Sequence, residues 1–497
     1  MLALLVCAPG AAAQGASPYL PLDHWTMPHL EYLIRAGAVG DPSPLVRPFR
    51  RADAVRALAA ADTLALAPPL RRLHRRLTAF FETDTRTPVA LRADFFAGFR
   101  AATHARRTAL RDSGDGDLWP RLGGHGYASA GPLVVATSLE GDWRLEDDPD
   151  YGGIRSAARD VPSRQPTAYA SLQGGLGELF FGAMDRNWGP TWVEGLLLSP
   201  SPYSYDVVGG RLGPRHLHLG LLATQLDDGL DAAGAVSHRY LVVHNLYLQL
   251  PFPLTVNLVE ATVFAGAGRQ FEPWFLNPLK LTNWTAPEEE VASNHLLAGD
   301  FELALPRWPV LSLSLYTDDA AAFVGEDEPV QGGVTVGVTH DLAPRVQATA
   351  FYTAVSFLSY RTTGPDERYT RRGLGIARNR SDYDQATLQF TLLPMPFVLL
   401  RPEVTLVRQG EGDLRQPFPI DQAAAPVLHA GVVERLLRLG VEGRFDMPFG
   451  AHALSAGFDA AWHRFSNAAH VRGASESRFV GALWAEMTLG VPGRIAW

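Results

Sequence analysis

Leu305-Pro306-Arg307-Trp308-Pro309, followed after Val310 by Leu311-Ser312-Leu313-Ser314-Leu315-Tyr316, is the stretch that decides the fold. Its two prolines lack a donor N–H and fix φ, so the first part suits a tight turn and not a sheet interior. From Leu311 onward apolar and polar residues alternate with period two, which gives a strand one greasy face and one wet face. The same union of proline-bearing turn and alternating strand recurs at Leu250-Pro251-Phe252-Pro253-Leu254, Leu342-Ala343-Pro344, Leu393-Pro394-Met395-Pro396 and Met447-Pro448-Phe449-Gly450. Arg215 to Leu221 and Val334 to His340 repeat the alternation. Between these turns lies enough chain for two strands and a long polar loop, visible as composition shifts at 140–166, 317–331, 361–384, 409–425 and 466–477. Short turns at one end and long loops at the other are the plan of a transmembrane β-barrel. A soluble sandwich alternates too, but rarely keeps its connections so unequal.

Composition agrees. A chain of 497 residues exceeds one ordinary globular core, and a single large barrel is the main exception. Beyond the N-terminus no apolar run reaches the roughly 18 to 20 residues of a spanning helix, which excludes a helical membrane protein. A net charge of -8 and a pI near 6.0 argue against a nucleic-acid partner, which calls for a basic face. Residues 1–13 read as an export signal, with Ala11-Ala12-Ala13 as the cleavage site, although a basic n-region is missing. The single cysteine, Cys7, lies inside it; a lipoprotein reading would acylate Cys7, and bulky Val6 speaks against that. Removal of the segment leaves no thiol for disulfides or thiolate metal sites.

Residues 18–85 read as a small helical domain and 89–497 as the barrel. Asp23 is expected to cap a helix carrying Trp25, Leu30, Leu33 and Ile34, ended by Gly37 and Gly40. A second helix runs from about Arg51 to Asp62, and a third from Pro69 to Phe81 with Leu70, Leu73, Leu77 and Phe80 inward and Arg71, Arg72, Arg75 and Arg76 outward. About 400 residues at roughly 22 per strand give about 18 strands. The terminal Trp497 fits a barrel end, whereas Pro492 and Gly493 are expected to interrupt the closing strand.

The chemistry concentrates in residues 178–202, where an apolar strand runs into Asp185-Arg186-Asn187-Trp188-Gly189-Pro190-Thr191-Trp192-Val193-Glu194 and then Leu196-Leu197-Leu198-Ser199. Trp188 and Trp192 offer flat apolar faces beside Asp185, Arg186 and Glu194, a mixture suited to a hydroxylated ligand; either tryptophan reads equally as a core aromatic. This stretch resembles the signature of the capsule assembly proteins of the Wzi family. A second block, Glu260 followed by Gly266, Gly268, Arg269, Glu272, Trp274 and Leu276-Asn277-Pro278-Leu279, is similar to another part of the same family. The resemblance implies an antiparallel 18-stranded outer-membrane barrel with a helical periplasmic bundle, holding capsular polysaccharide at the surface of a Gram-negative-type cell. It implies polysaccharide contacts at Asp185, Arg186, Trp188, Trp192, Glu194, Glu260, Arg269 and Asn277, with Glu260 inside the lumen and pairing with Arg269. Glu260, Arg269 and Asn277 have an alternative reading as residues that order a long loop. Thr191 stands where the family usually has glycine, and Pro200-Ser201 where it has asparagine-alanine, which implies a different surface glycan.

Asp23-His24-Trp25, Leu30 to Val39 and Val46 to Asp53 resemble one degenerate S-layer-homology repeat, which implies peptidoglycan as a further partner; a structural cap at the periplasmic mouth is the alternative. His216 and His218 read as lumen-lining residues in preference to a metal pair, and Glu146, Asp147, Asp148 and Asp150 as a solvated loop in preference to a calcium site. No phosphate loop, dinucleotide fingerprint, zinc-helix motif or nucleophile elbow stands in the sequence. The expectation is therefore a lectin-like, monomeric barrel in outer-membrane lipid, without enzyme activity, cofactor or metal. A porin or substrate-specific channel is the alternative, and an outer-membrane hydrolase a remoter one.

Overall fold

The computed structural model describes residues 16–82, 89–153, 161–279, 293–318, 331–416, 418–419 and 425–494; the export-signal segment with Cys7, and Trp497, lie outside the described residues. Leaving aside two-residue ribbons in the loops, the described residues form a closed antiparallel barrel of 18 strands. Each strand pairs with its sequence neighbours, and Val89–Ala102 closes the cylinder by pairing with Ser475–Arg494, from Ala90 against Arg494 to Ala102 against Ala482. Pro492 and Gly493 do not interrupt that last strand. Its ladder to His452–Ser466 stops at Thr488, so beyond that point it has a neighbour on one side only, and a missing N–H is harmless there.

Along Val310–Thr317, Ser312, Ser314 and Tyr316 are buried while Leu311 and Leu315 are about half exposed. This inverts the pattern of a soluble protein. Phe95, Phe99, Leu122, Leu139, Phe181, Val336, Leu406, Phe458 and Leu483 continue the exposed apolar belt round the cylinder. A contiguous belt of this kind requires lipid. Arginine in place of Leu315 is expected to cost about 2–4 kcal/mol, whereas Trp308→Arg in the turn below should cost about 0–1 kcal/mol, because the penalty of a lipid-facing charge falls toward the interface. Urea unfolding of the two variants in lipid vesicles measures the difference; equal costs would refute the assignment of the belt.

Three helices precede the first barrel strand: α1 (Met27–Arg35), α2 (Arg51–Ala59) and α3 (Pro68–Glu82). α3 buries Leu70, Leu73, Leu77 and Phe80 and exposes Arg71, Arg72, Arg75 and Arg76. Asp23 does not cap α1. The N-cap is Thr26, without a side-chain cap bond, because residues 21–24 form a separate turn in which the His24 N–H donates to Pro21 O. Gly37, at φ 60°, ends the helix in a conformation that favours glycine.

The helices sit in the mouth of the barrel and touch its wall on several sides. Leu30, Leu33, Phe80 and Phe81 share one core with Leu393, Phe397, Leu399 and Ala453. His29 Nε2 lies 2.8 Å from Asp446, Gln347 Nε2 donates to Tyr32 O at 2.8 Å, and Arg50 pairs with Glu178 at 2.6 Å. A second apolar cluster lies inside the lumen further along. There the loops 184–205 and 356–382 bring Trp188, Leu196, Leu197, Leu198, Tyr360, Tyr369 and Ile376 against the wall residues Leu241, Val243, Val259, Ala261 and Val263. Among the described residues no helix is long and apolar enough to cross a membrane, which is silent about strands.

Candidate functional site

The loop 184–205 is built to enter the lumen. Asn187–Trp188 pairs antiparallel with Val46–Arg47 of the helical domain, and Gly189 N donates to Leu45 O at 2.7 Å. Gly189 stands at φ 122°, a conformation that side chains strain. Asn187 staples the turn: its Nδ2 donates to Val193 O at 3.0 Å and its Oδ1 accepts from Gly195 N at 2.8 Å. Thr191, the departure from the family pattern, accepts a hydrogen bond from Arg35 at 3.2 Å and donates to Glu31 at 3.3 Å, tying the loop to α1. The two infolded loops are joined in turn, since the hydroxyls of Tyr360 and Tyr369 donate to Leu196 O and Leu197 O, each at 2.8 Å.

This route divides the tryptophan stretch between two sides of the plug. Trp188, 8% exposed, belongs to the packed luminal cluster and, with Arg186, borders a cavity of about 110 Å³ against the helical domain. Arg186 lies over the Phe180 ring, and burial lowers its pKa. Asp185 lines a small recess beside Asp23 and Tyr19; burial raises its pKa, against the pull of Arg164 and Arg107. Trp192 and Glu194 face the other way, into a cavity of about 390 Å³ between the infolded loops and the inner wall, where Gln389, Glu403, Thr405 and Glu442 line it. The Trp192 ring packs on Phe351 at 4.7 Å and lies over Gly337, where a Cβ would come within 2.4 Å of it. It remains half-buried, with part of its surface toward the cavity.

The second block of sequence lies elsewhere. Asn245, Asn257, Asp300 and Ser314 form a luminal chain of hydrogen bonds, and Ser314 shares its face with Ser312 and Tyr316. By the alternation of a strand, Val259, Ala261 and Val263 also point inward, so Glu260 points outward. There it meets His244 at 3.4 Å, whereas Arg269 pairs with Glu272 at 2.7 Å. The expected luminal Glu260–Arg269 pair does not form. Strand residues 260 to 266 rise roughly 20 Å before the chain turns, which carries Arg269 away. Residues 271–276 fold over the same outer face, covering Tyr240, Val242 and Phe264 with Phe271, Trp274, Phe275 and Leu276. Asn277 is exposed and accepts from Leu279 N at 3.1 Å within its own loop. The barrel wall therefore separates Glu260, Arg269 and Asn277 from Trp188 and Trp192.

Two smaller expectations need correction. His218 lines the lumen and stacks on Tyr247 at 4.7 Å, but His216 sits exposed in the turn before the strand, which begins only at Leu217. The acidic run is solvated in part: Glu146 and Asp147 are exposed, and the others are tied into the fold. Asp148 is 0% exposed and accepts from Arg144 and Tyr203, Asp147 accepts from Trp119 Nε1 at 2.8 Å, and Asp150 pairs with Arg106 at 3.0 Å.

The residues that the sequence reading missed are arginines. Arg107 and Arg111 from the loop 103–116, with Arg378 and Arg380 from the loop 356–382, line the cavity opposite Trp192. A signal was present: Arg368, Arg371, Arg372, Arg378 and Arg380 crowd into one loop of a chain whose net charge is -8.

This geometry can be compared with that of known proteins. No protein-family model matches the sequence, and no curated protein matches it. Among solved structures, the chain is similar to Wzi of Escherichia coli, an outer membrane protein involved in group 1 capsule assembly and described as a carbohydrate-binding β-barrel. The TM-score is 0.60 at 13% identity, over 94% of this chain and 97% of that one. The fold is that of an outer-membrane barrel. Acinetobacter baumannii OccAB1 (TM-score 0.46, 10% identity, 81% of this chain and 96% of that one) and Pseudomonas aeruginosa OprD (0.44, 12%, 81% and 95%) are further from it. The S-layer-homology resemblance of the N-terminal segment finds no support in these comparisons.

Proposed function

We propose that this chain is a non-enzymatic barrel of the outer membrane that holds exported surface polysaccharide, with the Trp192 cavity as the glycan site. One observation carries the reading: the helices and two infolded loops fill much of the lumen, while a cavity of about 390 Å³ with an aromatic face and charged walls remains between those loops and the inner wall. Its size is that of a ligand pocket. Trp192 would stack on the apolar face of a sugar, and Glu194 and the arginines would bond its hydroxyls. Asp185, Arg186 and Trp188 act one step removed, by fixing the loop that presents Trp192. A channel reading needs a continuous aqueous path, which the luminal cluster opposes.

Trp192→Ala tests the site with little risk to the fold, since Trp192 is only half-buried, unlike Trp188. Retention of the host's own surface polysaccharide by purified protein should weaken about tenfold, equivalent to about 1.4 kcal/mol, with the heat-modifiable gel shift of the folded barrel retained. Unchanged retention would remove Trp192 from the site.

A further inference from the structure

The cavity beside Trp192 has an unbalanced set of charges. Of its carboxylates, Asp150 pairs with Arg106 at 3.0 Å, Glu403 and Asp459 share Arg438 at 2.6 and 2.7 Å, and Glu442 meets Arg401 at 3.2 Å. Glu194 is left over. Against it stand four guanidinium groups that, among the described residues, have no carboxylate within ion-pair distance. Arg107 donates to Pro200 O and Ser201 O and lies over the Tyr203 ring. Arg111 donates to Asn379 O at 2.9 Å, and Arg380 to Gln385 Oε1 at 2.7 Å while stacked on Tyr383 at 3.8 Å. Arg378 is 4% exposed, and its Nε and Nη2 have no hydrogen-bond partner.

Buried donors without acceptors are costly, and like charges gathered in one place repel. Burial and the nearby Arg380 and Arg106 depress the Arg111 pKa to about 10, a sign of that repulsion. An incoming anion would relieve both costs at once. A guanidinium fork matches a carboxylate in plane and spacing, so this set of donors selects a planar oxyanion above a neutral hydroxyl.

We infer that the cavity lined by Arg107, Arg111, Arg378 and Arg380 binds a carboxylate-bearing sugar, so that the polysaccharide held here is acidic. The inference rests on the glycan reading above and narrows it to a chemical class. Trp192 takes the apolar face of the ring, and the arginines on the facing loops take its carboxylate.

The test uses intact protein in detergent and a matched ligand pair, oligogalacturonate and its fully methyl-esterified form, which differ in charge and not in their ring hydroxyls. Calorimetry at low salt should show the acid form binding about tenfold tighter or better. The preference should shrink as salt rises. Arg111→Gln combined with Arg380→Gln should bring the acid-to-ester affinity ratio to about one, whatever both forms lose in hydroxyl contacts; should that variant not fold, the salt dependence of the unaltered protein still decides. Equal binding of the two forms would overturn the inference and leave the glycan reading intact, whereas binding of neither would overturn both. Inorganic phosphate bound as tightly as the oligosaccharide would reduce the site to a simple anion site and overturn the sugar assignment.

Discussion

Removing both plugs, and only both, is expected to turn this chain into a channel. A cylinder of 18 strands is wide enough for an aqueous lumen once it is emptied. Here two obstructions lie in series. The helices fill one mouth through the core shared by Leu33, Phe80, Phe397 and Leu399, and the loops 184–205 and 356–382 close the lumen beyond it. Obstructions in series block independently, so deleting either alone leaves the path shut. The loop 356–382 can be cut without opening the wall, because its ends already meet: Asp382 N donates to Ser356 O at 3.2 Å. Replacing 358–380 by two glycines therefore keeps Val346–Val355 paired with Tyr383–Met395. The cut also frees Leu196 and Leu197, whose carbonyls accept from Tyr360 and Tyr369. In planar bilayers the intact chain and each single deletion should stay near the baseline. The variant lacking both 16–82 and 358–380 should show stable steps on the order of tenfold or more above it. Large steps from the intact chain would instead favour the channel reading.

Much of this architecture was legible because a barrel wall writes its two environments into alternate residues. Leu311, Ser312, Leu313, Ser314 and Leu315 show it most plainly, and the proline turns at 251–253 and 306–309 mark where the strands reverse. Legibility failed where the wall is covered on both sides. Along Leu254–Gly266 residues 259 to 265 are all buried, inward by the plug and outward by Phe271, Trp274, Phe275 and Leu276. From Val259 to Val263 the period of two survives but is inverted, with Val259, Ala261 and Val263 on the plug and Glu260 and Thr262 outward, so the rule of a wet lumen puts Glu260 on the wrong side. The tryptophan stretch failed differently. Its turn at Gly189-Pro190 was readable, but that Trp188 would face the helical domain and Trp192 the cavity follows from pairing with Val46–Arg47, some 140 residues upstream. The arginine site is farther still from sequence reach. Arg111 and Arg380 stand side by side only because the loop 103–116 and the loop 356–382 fold over the same lumen.

Acid should loosen the first of those loops. His104, two residues beyond the end of Val89–Ala102, is 1% exposed, and neither ring nitrogen has a hydrogen-bond partner. Burial first, and Arg100 next, lower its pKa from 6.5 to about 4, with Asp112 and Asp459 pulling the other way and Arg144 adding to the fall. Once released to solvent, the imidazole takes a proton near 6.5; folded in the loop, it refuses one until about 4. Above 6.5 both states are neutral and the loop keeps its full stability. As pH falls from 6.5 to 4 the released state gains protons that the folded state does not, and the folded loop loses about 3 kcal/mol, a factor of roughly a hundred or more in its opening equilibrium. The loss reaches the candidate site directly, since Arg107 and Arg111 ride on this loop and Arg107 anchors it to Pro200 and Ser201. Hydrogen exchange of residues 103–116, corrected for intrinsic rates, should therefore rise steeply between pH 6.5 and 4 while the barrel strands stay protected. His104→Gln, which cannot titrate, should flatten that rise; an unchanged pH profile in the variant would show that the loop is opened by another group.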